Sequence, residues 1–147
     1  MKKLLIAYAS RTGNTKQMAE YIAEGVRISG NEVDLKKISE LKKENDIKGY
    51  DGYLFGSPTY HRDMIGSMKT FLFLAEKAEL EGFLGGAFGT YTHSGDAPGI
   101  ILDTMQYVFK MKINSLGSLR LKDAVIGTSE GMKACHDYGR SFGEQLN

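Results

Sequence analysis

The chain is short of several things at once. It has no tryptophan, one cysteine, two prolines and no charge excess: 19 Lys and Arg against 18 Asp and Glu leave a formal net charge of +1. Without a second cysteine, Cys135 forms no internal disulfide, and a zinc cage of several thiolates is excluded. A balance this close to neutral supplies no large field for holding nucleic acid or an anionic membrane. Long apolar runs are missing as well. Lys2 and Lys3 precede Leu4–Ala9, an apolar stretch that Ser10 and Arg11 interrupt. It is shorter than the roughly 7–15 residues of a signal-peptide core and the ~20 of a bilayer span. It reads as a buried strand, and the expectation is a cytoplasmic protein with no membrane partner.

Glycine is the one residue in surplus, at 18 of 147 positions, about 12% against a usual 7%. Each is a candidate for a tight bend or a close backbone approach. The 41% hydrophobic and 25% charged fractions are ordinary for a globular chain. The length predicts one domain over residues 1–147.

Short apolar runs alternate with helical patterns. Lys3–Ala9, Tyr53–Gly56, Gly86–Gly89 and Ala124–Gly127 lack period-2 alternation and read as strands covered on both faces; Val33–Lys37 alternates and reads as peripheral. Between them, helices are predicted at Thr15–Ser29, from Ser39, and over Gly66–Leu80, Ala97–Met111 and Glu130–Leu146. Strand followed by helix, five times, implies an α/β doubly wound three-layer sandwich: a five-stranded parallel sheet with helices on both faces.

In such a sheet, ligands bind beyond the carboxyl ends of the strands, where strand order reverses. The loops at 10–15, 57–65 and 90–98 are therefore the ones to weigh. The first reads Ser10-Arg11-Thr12-Gly13-Asn14-Thr15. A helix N-terminus there offers free N–H donors and the positive end of the macrodipole, and three hydroxyls add further donors for a phosphate. It is neither a Gly-x-Gly-x-x-Gly turn nor a Walker loop. The bland alternative is a turn capped by Asn14 or Thr15. A metal-dependent receiver domain would need acids at the end of the first strand, where this chain has Ala9-Ser10-Arg11.

On these residues the chain resembles the flavodoxin family, of the short-chain type. Ser10–Thr15 matches its Thr/Ser-x-Thr-Gly-x-Thr phosphate loop; Phe55–Tyr60, Phe88–Asp96 and Cys135–Gly139 are similar to three further family motifs, in order. The second and third loops are also similar to the flavodoxin-like domain of diiron flavoproteins. The resemblance implies a flavodoxin-like sheet of order 2-1-3-4-5 and an FMN cofactor. Ser10, Arg11, Thr12, Gly13, Asn14 and Thr15 would hold its phosphate. Ser57, Pro58, Thr59, Tyr60 and His61 would cover the inner ring face. Thr90, Tyr91, His93, Gly95 and Asp96 would line the outer face and the pyrimidine edge. Either Tyr91 or His93 then covers the outer face, because the family's frequent tryptophan is absent. Gly56, Gly89 and Gly95 stand where the cofactor would be approached. Many family members carry glycine after the inner-face residue, where a peptide flips as the flavin is reduced. Here the residues are His61-Arg62-Asp63, for which positive φ is costly, so stabilisation of half-reduced flavin is expected to be weaker.

The implied function is low-potential electron transfer by a monomer. An upstream reductase and a downstream acceptor would dock transiently. The alternatives are an FMN-dependent reductase of a small acceptor such as a quinone, and a flavin-free interaction module. No catalytic side chain or metal site is assigned. Cys135 and His136 are adjacent on a predicted helix and point about 100° apart, so Cys135 is read as core.

Overall fold

The computed structural model describes all 147 residues. The chain runs β1 (Lys3–Tyr8), α1 (Asn14–Ile28), β2 (Glu32–Lys37), β3 (Gly52–Gly56). A two-stranded hairpin of β4 (Thr59–Tyr60) and β5 (Asp63–Met64) follows, then α2 (Gly66–Glu76) and β6 (Leu84–Tyr91). The last part is α3 (Ala97–Asp103), β7 (Lys112–Lys122), α4 (Asp123–Ile126) and α5 (Ser129–Leu146). Five strands pair in parallel in the order β2-β1-β3-β6-β7. Counting sheet strands alone, this is the expected order 2-1-3-4-5.

The two-sided burial follows from alternation along β1. Leu5, Ala7 and Ala9 enter one apolar cluster with Phe55, Met68 and Phe71; Leu4, Ile6 and Tyr8 enter another with Met18, Ile22 and Phe142. The first cluster is roofed by α2 and α3, the second by α1 and α5. Cys135 is fully buried in the second. Burial pushes its thiol up to about 12, as a desolvated thiolate requires. No helix is long and apolar enough to cross a membrane.

The fifth strand is displaced from the predicted place. It is Lys112–Lys122, and Ala124–Gly127 falls mostly in the helical turn α4. β7 is an edge strand: Leu119 and Leu121 pack against the core while Arg120 and Lys122 are exposed. A search for unbroken apolar runs finds central strands and passes over an alternating edge. β7 also carries an irregularity, since Gly85 pairs with Ile113 but Ala87 pairs with Ser118. Asn114 fills it, its amide donating to the carbonyls of Gly85 (3.1 Å) and Gly117 (2.8 Å). The helix expected from Ser39 is a single 3-10 turn, Ile38–Glu40. The one expected over Ala97–Met111 is α-helical only to Asp103 and widens into a π turn at Thr104–Val108.

Candidate functional site

β1, β3 and β6 end side by side, and their pairing continues one residue further. The Ala9 N–H donates to the Gly56 carbonyl (3.0 Å) and the Ser57 N–H to the Phe88 carbonyl (3.2 Å). Three loops therefore leave the same edge of the sheet from fixed starting points.

In the first loop, Gly13 precedes α1 with φ +93°, a left-handed conformation that favours glycine. Neither Asn14 nor Thr15 caps the helix, contrary to the capping alternative. The Ser10 hydroxyl reaches forward instead and accepts from the N–H groups of Gly13 (3.1 Å) and Lys16 (3.4 Å). The N–H groups of Arg11, Thr12, Asn14 and Thr15 find no acceptor in the protein. They stand at the positive end of a 15-residue helix, and Arg11, Thr12 and Gly13 are exposed. A Cβ at Gly13 would meet nothing within 4 Å.

Thr15 points inward, 1% exposed. Its hydroxyl lies 2.8 Å from that of the equally buried Thr90. This bond ties the first loop to the end of β6.

The second loop is held by its own polar groups. The fully buried Ser57 hydroxyl donates to the Pro58 carbonyl (2.9 Å) and accepts from the Ile65 N–H (3.3 Å). The Thr59 hydroxyl accepts from the Ala97 N–H at the start of α3 (3.0 Å). Tyr60 opposes Asp63 across the β4–β5 hairpin, and the turn between them is His61-Arg62, with φ of +50° and +62°. Both residues adopt the conformation that is costly for a non-glycine side chain. A two-residue hairpin turn with both residues left-handed matches the twist of its strands, so the pairing imposes the conformation. Asp63 helps to hold it: its carboxylate pairs with Lys69 and accepts from the Met64 N–H (2.7 Å). The hydrogen bond from Lys69 keeps that carboxyl below its usual range. Half-buried Tyr60 has the Arg11 guanidinium 5.3 Å from its ring centre.

The third loop separates the two outer-face candidates. A Cβ at Gly95 would run into the Tyr91 ring and the Arg120 stem, so Tyr91 already packs against the loop itself. His93 is exposed. The Thr92 hydroxyl donates to Asp123 (2.7 Å) and the Ser94 hydroxyl to Asp96 (3.2 Å). The glycine reading needs correction here. The space beside Gly89 is filled by the Ser57 carbonyl and Pro98, that beside Gly56 by the Phe88 ring, and that beside Gly95 by Tyr91 and Arg120. These glycines let protein approach protein; Gly13 alone of the four faces open space.

The structure thus brings the three predicted loops to one sheet edge. Sequence reasoning missed Lys16, the Thr15–Thr90 bond, the Arg11–Tyr60 contact and Asp123 as the anchor of Thr92. A threonine in the first turn of α1, another at the end of β6 and an arginine in the first loop were the available signals, but only the sheet order shows which of them meet.

A family model described as a flavodoxin domain matches residues 5–89. A flavodoxin of Clostridium saccharobutylicum is 36% identical over 104 residues, covering 70% of this chain and 64% of that one. A flavodoxin of Maridesulfovibrio salexigens is 30% identical over 128 residues, covering 85% of each. Among solved structures, a flavodoxin from the domain Archaea superposes with a TM-score of 0.87 at 27% identity over 98% of both chains. On the matched residues, the sheet order and the full-length superposition, this chain belongs to the flavodoxin family.

Proposed function

We propose that this chain binds FMN and works as a low-potential electron carrier between a reductase and acceptor redox proteins, as a cytoplasmic monomer. The observation that carries the reading is the set of unclaimed N–H groups at Arg11, Thr12, Asn14 and Thr15. A chain that satisfies every buried side-chain polar atom internally leaves four backbone donors without an acceptor in the first loop and the first turn of α1. Each charge-assisted bond to a phosphate there is worth about 1.5–3 kcal/mol, and the ring would lie between Tyr60 and the third loop. Bound FMN supplies the redox chemistry, and the protein sets its binding and potential.

Residue roles follow from the surroundings. Ser10, Thr12 and Gly13 shape the phosphate cradle, and Asn14 and Thr15 contribute donors. Ser57, Pro58 and Thr59 fix the loop that presents Tyr60. His93 covers the outer face, because Tyr91 is committed to Gly95 and Arg120. Gly95 and Asp96 bring backbone N–H groups to the pyrimidine edge. Arg11 and Arg62 put positive charge around Tyr60, which lowers the cost of adding negative charge to the ring and raises its potential.

The test is the visible spectrum of the purified protein, with added FMN, during stepwise reduction. Stoichiometric FMN binding and two reversible couples are expected. A protein that takes up no FMN overturns the reading. Steady-state NAD(P)H:quinone turnover by the protein alone would replace the carrier with an enzyme.

A further inference from the structure

A sizeable cavity lies outside the wedge between the second and third loops. It measures about 870 Å³ and sits between the first loop, the Ile38–Glu40 turn and the first half of α2. No residue of 57–60 or 90–96 lines it. That size falls within the roughly 300–1,000 Å³ of small-molecule sites.

Its lining is of two kinds. The floor is apolar, made by Ala9, Leu41, Ile65, Phe71 and Leu74. The rim carries four cations, Arg11, Lys16, Lys37 and Lys42, and no carboxylate is among the lining residues. None of the four cations pairs with an acid anywhere in the protein. The nearest acid in sequence, Glu40, is turned onto backbone and accepts from the Lys37 N–H (2.9 Å). Glu20 and Glu40 act on the neighbouring Tyr8, whose hydroxyl is raised mainly by burial and then by these two charges. Ser39, Ser67 and Thr70 add hydroxyls around the opening.

Each half of this lining lacks something in the free protein. Half-buried Ile65 and Leu74 keep apolar surface in contact with water at the mouth, above buried Ala9, Leu41 and Phe71. The four like charges repel one another across the opening, and none is held in an ion pair, although Glu20 and Glu40 lie near enough to act on Tyr8. A purely apolar ligand would leave the cations unanswered, and a bare inorganic anion would leave that apolar surface wet. We propose that the cavity is a second binding site, distinct from the FMN wedge, for an organic phosphate: a phosphoryl group on the Lys37–Lys42 side of the rim and an aromatic or acyl body over Ile65 and Leu74.

The site is not independent of the first loop. Ser10, Arg11 and Gly13 of that loop line the cavity together with Lys16 in the first turn of α1, and the Ser10 hydroxyl holds the Lys16 N–H. An occupant that draws on Arg11 or Lys16 changes the phosphate cradle from behind. Linkage then requires FMN and the occupant to change each other's affinity by the same factor.

The test is an amide chemical-shift titration with phenyl phosphate, inorganic phosphate and benzyl alcohol, on FMN-saturated protein and again without FMN. Saturation of the cradle keeps the probe from simply replacing FMN. The expected result is saturable phenyl phosphate binding at least tenfold tighter than either control, with shifts centred on Ser39, Leu41, Ser67 and Thr70. The K37Q/K42Q variant, changed only at exposed side chains, should bind the probe about tenfold more weakly. Shifts confined to 57–60 and 90–96, equal affinity for inorganic phosphate, or unchanged binding by K37Q/K42Q each overturn the proposal. If the protein takes no FMN, the FMN reading fails, and the shifts at Ser39 and Leu41 still decide this one.

Discussion

Replacing Thr90 by valine removes the one partner of the Thr15 hydroxyl. The two residues are each 1% exposed and their oxygens lie 2.8 Å apart, so neither has recourse to bulk water. Valine keeps the shape of threonine and opens no cavity, which isolates the polar term. A hydroxyl stranded in such a place costs about 1–3 kcal/mol. Thr15→Val strands the Thr90 hydroxyl and carries the same expected cost. Replacing both leaves two methyl groups in contact and no orphan. The double variant is therefore expected to be no less stable than either single, with a coupling energy of about 1–3 kcal/mol. Urea unfolding of the FMN-free protein reads this at constant m-value. Thermal midpoints should fall by about 2–4 °C for each kcal/mol at this chain length. FMN titration adds a second arm. Thr15 starts the phosphate cradle and Thr90 supports it, so T15V should lose more FMN affinity than T90V. Strictly additive singles, or singles as stable as the parent, would refute the mutual bond. Equal affinity losses would refute the division of roles.

Gly89→Ala sets a Cβ against the Ser57 carbonyl, backbone that cannot swing aside. A loss of about 1–3 kcal/mol is expected, with weaker FMN binding because two site loops are pushed apart; unchanged unfolding and FMN titration curves would sink that packing account. Gly13→Ala has open space but φ +93°, so backbone strain alone acts, at about 1–3 kcal/mol; a stabilised variant would contradict the left-handed turn. Burial raises Cys135, Tyr53 and Tyr138 in the folded chain. The unfolded chain loses these protons first, so their contribution is complete at neutral pH and lost as pH rises from about 8.5 through 12. Denaturant midpoints at pH 7, 9 and 10.5 should decline in that order, and a flat series would speak against their burial. His93→Phe should change FMN affinity and shift the second reduction potential; values of both identical to the parent's would remove His93 from the ring.

The central fold is legible because its strands are buried on both faces. Such strands advertise themselves as unbroken apolar runs, as Leu4–Ala9 does, and the helix between them shows its stripe at Met18, Ile22 and Val26. β7 is hidden for the converse reason. It pairs on one side only, so Arg120 and Lys122 interrupt Leu119 and Leu121. Its central irregularity is set by a tertiary polar contact: Tyr138, far along the chain, donates to the Gly117 carbonyl (2.6 Å). The short run at 124–127 is apolar enough to imitate a strand, but Thr128 decides the matter locally. Its hydroxyl accepts from the Gly131 N–H (3.1 Å) as the cap of α5, and helical turns then lie on both sides of it. At the site, residue types were readable and contacts were not. The glycines of the second and third loops illustrate this: the sequence offers the same residue for a ligand's approach and for a neighbour's.

Charge is where composition misleads most, because a net value of +1 conceals a segregation. On α5 and its contact with α1 the charges are answered within reach: Lys133 by Asp137 and Arg140 by Glu144, with the His136 ring 3.0 Å from Glu24. Such exposed pairs add little to stability, but they cancel the field on that side. At the carboxyl edge of the sheet the cations are unanswered. Arg11, Lys16, Lys37, Lys42 and Arg62 have no acid partner, whereas Asp96 and Asp123 across the wedge are engaged with Ser94 and Thr92. Arg11 and Arg62 thus make the Tyr60 side of the wedge positive, whereas on the His93 side the carboxylates lie among Arg120 and Lys122. Screening confines such a field to about 8 Å at physiological salt, so an approaching protein senses the side it meets rather than the molecular sum. Near-neutral composition suggests docking indifferent to salt. The local arrangement implies instead an orientation: an acidic surface on the Tyr60 side, with association that weakens as ionic strength rises.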